Sequence, residues 1–554
     1  MIIACSAVVK WAERYAELAR FMAKQEEDAG RRRELEKIAE VCSRVPANPP
    51  EHFQESLQSY WFLWLVTHMI EQSGEGAPLR IDQAHWPCYE RDVIRDKALS
   101  REEAVELLAL LRLKFAEMGR LGTWVLRESF QGAATMSSWT IGGVKADGTS
   151  AFNELTETVI MSALVAATPQ PNVIIRYEPP IPEKVKELAL ESIRKGSGYP
   201  SFINDGLHVE SLCGYGIPLE DARSWVVEGC CVSHSASSNG LGLKTNPSWA
   251  LLPAKCLELA LNNGVEIYPG SAVRLGDMAE GAEVARLGPA TGEVEKFNSY
   301  EDVREAFRQQ VKFGFKLGQR MRDMARHYNS RLFPNPFLSS MYPTTIEEGA
   351  DAAGWEAIPQ TGLVGAGMVD AADALAGIKK VVFQDKKYTM GQLLQALKAN
   401  WEGYGEMWQD FLNAPKWGND DDFADEVARK DVFELMAEEF SRVKDYWGKA
   451  PKLTPQSVVI FWSQGKKTGA LPNGRGNGDF LADAGTSPVY GMDIKGPTAV
   501  LKSCSKLDYS LFKGSLLNQR LSPVSVVGEK GFKLFYDYIS TWYDLGVDHV
   551  LQCS

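Results

Sequence analysis

The sequence has no long apolar segment and no concentration of positive charge. Its most apolar stretch, Tyr60 to Ile70, is too short to cross a bilayer and contains His68. The N-terminus lacks the basic residues and apolar run that mark a secretory signal. Acidic residues outnumber basic ones, 72 to 60, and the net charge of −12 disfavours a nucleic-acid-binding surface. We therefore predict a cytoplasmic protein with neither nucleic-acid nor membrane partners.

The cysteines do not suit a disulfide framework, because there are nine of them and they are scattered along the chain. This fits a reducing compartment. Low-complexity tracts and internal repeats are also missing, and the composition, 45% hydrophobic and 24% charged, is that of a folded soluble enzyme. A chain of 554 residues usually divides into two or more domains, with large barrels as the usual exception.

The apolar spacing predicts helices alternating with short strands. Capping boxes begin helices after Ser100, Ser299 and Thr389. Asn172 to Tyr177 and Ser201 to Asn204 are β-rich runs with a helix between them, and this rhythm predicts an α/β architecture with partly parallel strands. Residues 249–263 are predicted to form one further helix.

The most informative stretch is Ser224 to Asn239, which reads SWVVEGCCVSHSASSN. An apolar run typical of a buried strand stops at Gly229, and two adjacent cysteines follow before a loop of small polar residues. The pattern predicts a strand that delivers Cys230 and Cys231 to a loop inside a cavity.

Three other interpretations of the cysteine pair stay open on the residues alone. Both cysteines could be small core residues. A zinc site could use them with His234, although structural zinc prefers cysteines two to four residues apart and needs a fourth ligand. A cysteine nucleophile with a histidine base is the third interpretation.

The sequence resembles the glycyl radical enzymes in many ordered stretches. The matching segments include RIDQ (80–83), GGVKADG (142–148), GSGYPSFIND (196–205), GCCVS (229–233), LADAGTSPVYGMDIKGPTAVLKSCSKLD (481–508) and GSLLNQRLSP (514–523). The resemblance implies an α/β fold over residues 1–554, with a ten-stranded barrel of two half-sheets surrounded by helices. It places the cysteine loop in the lumen of this barrel.

The resemblance also implies a mechanism based on radicals. A backbone glycyl radical takes hydrogen from Cys231, and the resulting thiyl radical starts chemistry in a dry cavity. Cys230 matches a second thiol that is chemically active in some members. The radical is installed by an activating enzyme that uses S-adenosylmethionine and an iron–sulfur cluster. The resemblance implies no metal site in this chain and predicts a homodimer.

Three positions bear on the substrate. Members that catalyse eliminations resemble one another in having glutamate two residues after the thiyl cysteine, where this chain has Ser233. This difference and the flanking segments favour the benzylsuccinate and alkylsuccinate synthase branch, which adds hydrocarbons to fumarate. Within that branch His234 replaces a proline, and Asn246 replaces an arginine expected to hold fumarate. Arylacetate decarboxylases and formate C-acetyltransferase-type lyases are the alternatives.

The radical glycine of the family lies in an R-V-x-G-Y sequence, and none occurs among the 554 residues. The sequence therefore predicts that both the C-terminal glycine radical domain and an N-terminal helical part are missing. It further predicts that the chain is inactive by itself. Three alternatives stay open: a fragment, a truncated gene product, or one half of a split enzyme that a separate glycine-bearing polypeptide completes, with small subunits as further possible partners. A non-catalytic barrel scaffold is the hypothesis from a different class.

Overall fold

A computed structural model describes residues 1–71, 78–118, 137–229, 231–234, 249–274, 277–352, 363–445, 448, 450–457 and 459–553. Strands within these ranges are β1 Leu79–Arg80, β2 Ser138–Gly142, β3 Asn172–Tyr177, β4 Ser201–Asn204, β5 Val226–Glu228, β6 Val232–His234, β7 Trp249–Leu251, β8 Val273–Arg274, β9 Asp277–Met278, β10 Leu363–Gly365, β11 Leu453–Thr454, β12 Asn518–Arg520 and β13 His549–Cys553.

Helices cover the outside of the sheets. The α-helices are Ile2–Gln25, Ala29–Arg44, Phe53–Trp64, Ile81–Ala84, Trp86–Tyr89, Arg101–Glu117, Glu154–Ala166, Glu183–Arg194, Asp205–Gly214, Leu219–Ala222, Pro253–Leu261, Tyr300–Leu332, Pro336–Ser339, Pro343–Glu347, Met368–Gly377, Met390–Lys398, Gly405–Leu412, Asp422–Val427, Leu435–Ser441, Ile460–Gly465, Pro497–Cys504 and Gly528–Asp544. Wider π-helical turns occupy Leu65–Ile70, Glu90–Arg95, Ile378–Gln384 and Ala428–Glu434, and 3₁₀ turns occupy Gly270–Ala272, Val294–Lys296, Tyr509–Leu511 and Pro523–Val526.

The predicted helix starts are confirmed at three capping boxes. Ser100, Ser299 and Thr389 each accept a hydrogen bond from a backbone N–H of the first helical turn. The helix predicted over 249–263 is wrong in its first part. Residues 249–251 pair with β10 as a strand, and the helix begins only at Pro253, because a tertiary partner outweighs the local helical spacing.

Two larger sheets form the centre of the fold. One has the strand order β1-β2-β3-β4-β13-β12, in which only the β4/β13 pair is antiparallel. The other has the order β11-β10-β7 and is parallel. The α/β class is therefore confirmed. The described residues place six strands in one sheet and three in the other, fewer than the ten strands that the resemblance implied.

Residues 512–518 run from one sheet to the other. Phe512 bridges to Leu453 of β11, and the backbone N–H of Lys513 donates to the Leu453 carbonyl at 3.0 Å. Five residues later Asn518 begins β12, which pairs with β13. This crossing brings the C-terminal part of the chain beside the space between the sheets.

Residues on β3 are buried on both faces of the larger sheet. Val173 and Ile175 belong to the main core under the helices, whereas Ile174 packs in a second cluster with Ile203 and Val227. A strand covered on both sides reads as a continuous apolar run, as NVIIRY does. The inner face of this sheet is therefore the surface on which the cysteine segment lies.

Candidate functional site

The cysteine segment folds as a short antiparallel hairpin. Strand β5 pairs with β6 in the register Val226 to His234, Val227 to Ser233 and Glu228 to Val232. The turn starts at Gly229, whose φ of +67° lies in the left-handed region that glycine adopts most easily. Cys231 lies in this turn, directly before β6. The predicted strand before Gly229 is confirmed, but the loop predicted after Val232 is wrong at its start, because Ser233 and His234 pair with β5 as part of β6.

Side chains of the larger sheet hold the hairpin in place. The Ser138 hydroxyl donates to the carbonyl of Val227 at 2.7 Å, and the N–H of Val227 donates to Oγ1 of Thr140 at 3.0 Å. Both sheet residues lie on β2, two positions apart, and so point to the same face. These bonds satisfy the buried backbone of a three-residue strand that is too short to be stable by itself.

Arg176 anchors the start of the hairpin. Its side chain is fully buried, and its guanidinium lies 4.7 Å from the Trp225 ring centre. Nη1 donates to the carbonyl of Trp225 at 3.1 Å, and Nε donates to Asp205 Oδ1 at 2.8 Å. The indole N–H of Trp225 donates to the same carboxylate oxygen at 2.7 Å. The buried arginine is thus paired with a carboxylate, as burial of its charge requires.

Cys231 lies at the centre of the site. It is fully buried, and its thiol donates to Gln456 Oε1 across 2.8 Å. Its apolar neighbours are Val232, Ala484 and Leu516. The thiol is therefore enclosed by the hairpin, by the segment after β11 and by two C-terminal segments, an arrangement that excludes water from the sulfur.

Ser233 and His234 are also buried, on opposite faces of β6. Within the described residues, the Ser233 hydroxyl has no hydrogen-bond partner. Nε2 of His234 lies 2.6 Å from Oε2 of Glu228. Burial holds the pKa of His234 well below its ordinary value, and the nearby charge of Lys513 lowers it further. His234 is therefore a neutral imidazole beside a carboxylate.

The other predicted site residues, Cys230 and Asn246, lie outside the described residues. The zinc interpretation depends on Cys230 and therefore stays untested; among the residues that the structure describes, no group of three potential metal ligands occurs. Nor does any helix described there have the length and apolarity needed to cross a membrane.

Sequence reasoning missed four residues that the structure brings to the site: Gln456, Gly514, His208 and Asp548. A Cβ on Gly514 would collide with the carbonyl oxygen of Cys231, and the φ of +121° at this position also favours glycine. Nε2 of His208 lies 2.5 Å from Oδ1 of Asp548, whose second oxygen accepts the N–H of Ser515 at 2.5 Å. The signal for Gly514 was its place at the head of GSLLNQRLSP; Gln456 and Asp548 carry no local signal.

Asp548 is ionised in this network. Its complete burial would raise the pKa of the carboxyl, but the charge and hydrogen bond of His208 and the hydrogen bond of Ser515 outweigh burial and lower the pKa below its ordinary value. His208 also stacks on Trp225, with ring centres 4.6 Å apart. The C-terminal strand is thereby connected to the base of the cysteine hairpin.

Comparison with known families gives two matches along the chain. The model "Pyruvate formate lyase-like" matches residues 1–461, and the model "Glycine radical" matches residues 482–553. The second match contradicts the prediction that the glycine radical domain is missing. The prediction had rested on one short motif, whereas the match extends over the segments that cross between the sheets and enclose Cys231. The predicted inactivity of the chain loses its basis.

The curated relatives include dehydratases and sulfite-lyases. The chain is 34% identical to the trans-4-hydroxy-L-proline dehydratase of Clostridioides difficile over 99% of its own length and 68% of the relative. It is 31% identical to the isethionate sulfite-lyase of Nitratidesulfovibrio vulgaris over 99% of its length and 65% of the relative. The chain thus spans about two thirds of the length of these proteins.

Solved structures agree with this picture. A structure titled for 1,2-propanediol dehydration in Roseburia inulinivorans superposes with a TM-score of 0.91 at 30% identity, covering 100% of this chain and 68% of the other. Hydroxyproline dehydratase from Clostridioides difficile, with its substrate bound, gives a TM-score of 0.87 at 31% identity, covering 100% and 68%. The names of these relatives are those of dehydratases and sulfite-lyases, whereas the sequence had predicted addition to fumarate.

Proposed function

Because this chain belongs to the glycyl radical enzyme family, we propose that it is the catalytic part of a lyase that eliminates water or another small leaving group from a hydroxylated or sulfonated substrate. The observation that carries the proposal is the fully buried Cys231, which is enclosed by segments of both matched regions. The names of the relatives, which include a dehydratase and a sulfite-lyase, support the reaction class.

The proposed cycle is redox-neutral. The Cys231 thiyl takes a hydrogen atom from a substrate carbon, so that an S–H bond forms as a C–H bond breaks. The carbon radical then loses the leaving group from the adjacent carbon as water or as sulfite. The product radical takes the hydrogen atom back from Cys231, which restores the thiyl. The buried site keeps water away from each radical.

Proton transfer in this cycle needs a group other than the carboxylate found in the eliminating relatives. Ser233 occupies that position, and its buried hydroxyl has no partner among the described residues. In the proposal this hydroxyl binds the substrate and passes a proton to the leaving group. The proton comes from the hydroxyl or amine group carried by the radical carbon, whose C=O or C=N bond forms as the C–O or C–S bond to the leaving group breaks. His234 lies on the opposite face of β6, with its Nε2 2.6 Å from Oε2 of Glu228.

Several earlier predictions stay part of this proposal. Radical formation requires an activating enzyme with S-adenosylmethionine and an iron–sulfur cluster, and Cys231 is the group that carries the radical to the substrate. Cys230 is proposed as a possible second thiol, and Asn246 is proposed to bind the substrate. The protein acts as a homodimer in the cytoplasm. Fumarate addition has less support, because the named reactions of the relatives given above are eliminations.

The test is anaerobic activation of the protein with a radical S-adenosylmethionine activase, followed by electron paramagnetic resonance and product analysis. We expect a glycyl doublet, and release of water or sulfite from at least one of 1,2-propanediol, glycerol, isethionate and trans-4-hydroxyproline. Cys231→Ala abolishes the product while the doublet persists, and the matched variant Cys42→Ala, altered at a buried helix cysteine, keeps activity. A succinate adduct formed from toluene and fumarate would instead establish the addition reaction.

A further inference from the structure

Gln456 is the residue that contacts the sulfur of Cys231 from the opposite sheet. The thiol donates to its Oε1 at 2.8 Å, and Gln456 is only 8% exposed. Gln456 lies two residues beyond Thr454 of β11, so the contact joins the smaller sheet to the hairpin that is anchored on the larger one. A side chain from one half of the fold therefore fixes the reactive atom of the other half.

The backbone around Gln456 is held by the segment matched as glycine radical. The N–H of Leu516 donates to the carbonyl of Pro455 at 3.0 Å. Gly485 packs so closely on the Pro455 carbonyl and the Gln456 nitrogen that a Cβ at position 485 has no room. The N–H of Gly485 in turn donates to the carbonyl of Leu516 at 2.9 Å. Gly485 and Leu516 thus form one pair that holds residues 455 and 456.

The type of acceptor suits radical chemistry. Cys231 can give up a hydrogen atom only if its sulfur is protonated. A neutral amide oxygen accepts a hydrogen bond from the S–H group without taking the proton, whereas a carboxylate would compete for it. The hydrogen bond also restricts rotation about the Cβ–Sγ bond, because rotation would break the contact with Oε1 of Gln456. Glutamine thus orients the thiol and leaves its hydrogen in place.

We propose that Gln456 is a positioning residue for the Cys231 thiol, and that the glycine radical segment sets its place through Gly485 and Leu516. The proposal rests on the proposed function, in which Cys231 carries the radical to the substrate. Through these contacts the C-terminal region controls the direction of the Cys231 S–H bond. This role is independent of any hydrogen transfer between that region and the thiol.

The S–H stretching band in the Raman spectrum tests this directly and needs no radical. The band of Cys231 is the one lost in Cys231→Ser. We expect Gln456→Met, which keeps the length and removes the amide oxygen, to move this band to higher frequency. Gln310→Met is the matched control, because Gln310 is also a buried glutamine and donates to the Pro289 carbonyl, away from Cys231. If the band stays in place in folded Gln456→Met, the proposal is overturned; should Gln456→Met not fold, Gln456→Asn serves with the same criterion.

A second pair of variants tests the role of the C-terminal segment. Gly485→Ala displaces residues 455 and 456 and is expected to move the band in the same direction. Gly405→Ala is its control, since a Cβ at position 405 meets open space. An unmoved band in Gly485→Ala would remove the C-terminal segment from the proposal.

Activity separates this inference from the proposed function. In the activated enzyme, Gln456→Met is expected to lower kcat about 10- to 100-fold with less than about a twofold change in KM, because misorientation affects hydrogen transfer more than substrate binding. If the parent enzyme and Gln456→Met have the same kcat, the positioning role of Gln456 is contradicted while the proposed function stands. Absence of any elimination product from the activated parent enzyme, with the Raman shift still present, counts against the proposed function alone.

Discussion

Gly514 lies against the backbone carbonyl of Cys231 with no room for a side chain between them. The two residues belong to segments matched by different family models, so their contact is one of the points where the two regions meet. The backbone at Gly514, with φ of +121°, also disfavours any other residue.

Gly514→Ala is therefore expected to lower the free energy of unfolding by about 3 kcal/mol, since it adds overpacking to backbone strain. Urea denaturation of the purified protein measures the change. Gly491→Ala is the matched control, because its φ of +78° imposes strain while its Cβ meets open space. It should cost only about 1 kcal/mol. Equal losses in the two variants would show that the contact with Cys231 contributes nothing.

Thr140→Val tests the anchoring of the hairpin. Valine keeps the shape of the side chain but leaves the buried N–H of Val227 without its acceptor. This loss favours local opening of the hairpin by about 1–3 kcal/mol, so the rate of Cys231 alkylation should rise at least about fivefold. Mass spectrometry of the Cys231 peptide gives the rate. Thr158→Val, which removes a hydroxyl bonded to Tyr89 instead, should leave that rate unchanged.

The buried, hydrogen-bonded pair of His208 and Asp548 should show strong energetic coupling in a double-mutant cycle. Removing either partner leaves a buried group without its counterpart, and each single variant should cost about 3–5 kcal/mol. The double variant should cost about 1–3 kcal/mol less than the sum of the two. The exposed pair Lys533 and Asp537 is the comparison, with coupling below about 0.5 kcal/mol. Coupling as weak as this in the buried pair would contradict the structure.

Acid should destabilise the protein between about pH 6.5 and pH 4. Burial lowers the pKa of His85 and of His549 to about 4, and it lowers the pKa of His234 well below its ordinary value. Because the unfolded chain binds protons in this range and the folded chain does not, the stability these neutral histidines contribute is present above pH 6.5 and is lost as the pH falls. Each should contribute a slope of about 1.4 kcal/mol per pH unit.

His85→Gln should lower the slope of unfolding free energy against pH by the contribution of one histidine. Glutamine keeps a polar partner for Ser56. Urea denaturation over a pH series measures the slope. Phe115→Leu is the control, because it weakens the core at every pH without adding or removing a titrating group. A slope that is the same in His85→Gln and the parent would show that His85 does not contribute.

Local features of the fold were predictable, and distant ones were not. The capping boxes at Ser100, Ser299 and Thr389 place helix starts because their hydrogen bonds span three residues. The strand before Cys231 was predictable from an apolar run and a glycine, whereas β6 was not, because its small polar residues are typical of a loop. Its hydrogen-bond partner Gln456 is 225 residues away, and His208 is 340 residues from Asp548, so neither pair follows from spacing. The glycine radical region was predicted to be missing because the prediction rested on the R-V-x-G-Y motif alone. The match over residues 482–553 depends instead on a whole segment.

The distance along the chain between Cys231 and its cover has a consequence for synthesis. Cys231 is synthesised 225 residues before Gln456. Gly514 is synthesised later than Gln456, so the interval before it is longer. At about 5–20 residues per second, the interval before Gln456 lasts about 10–45 s. Throughout it, the reactive sulfur belongs to an unfinished chain that lacks both its orienting amide and the segment that closes over it. The nascent polypeptide, rather than the completed enzyme, is therefore the form in which this cysteine is most open to oxidants and alkylating agents.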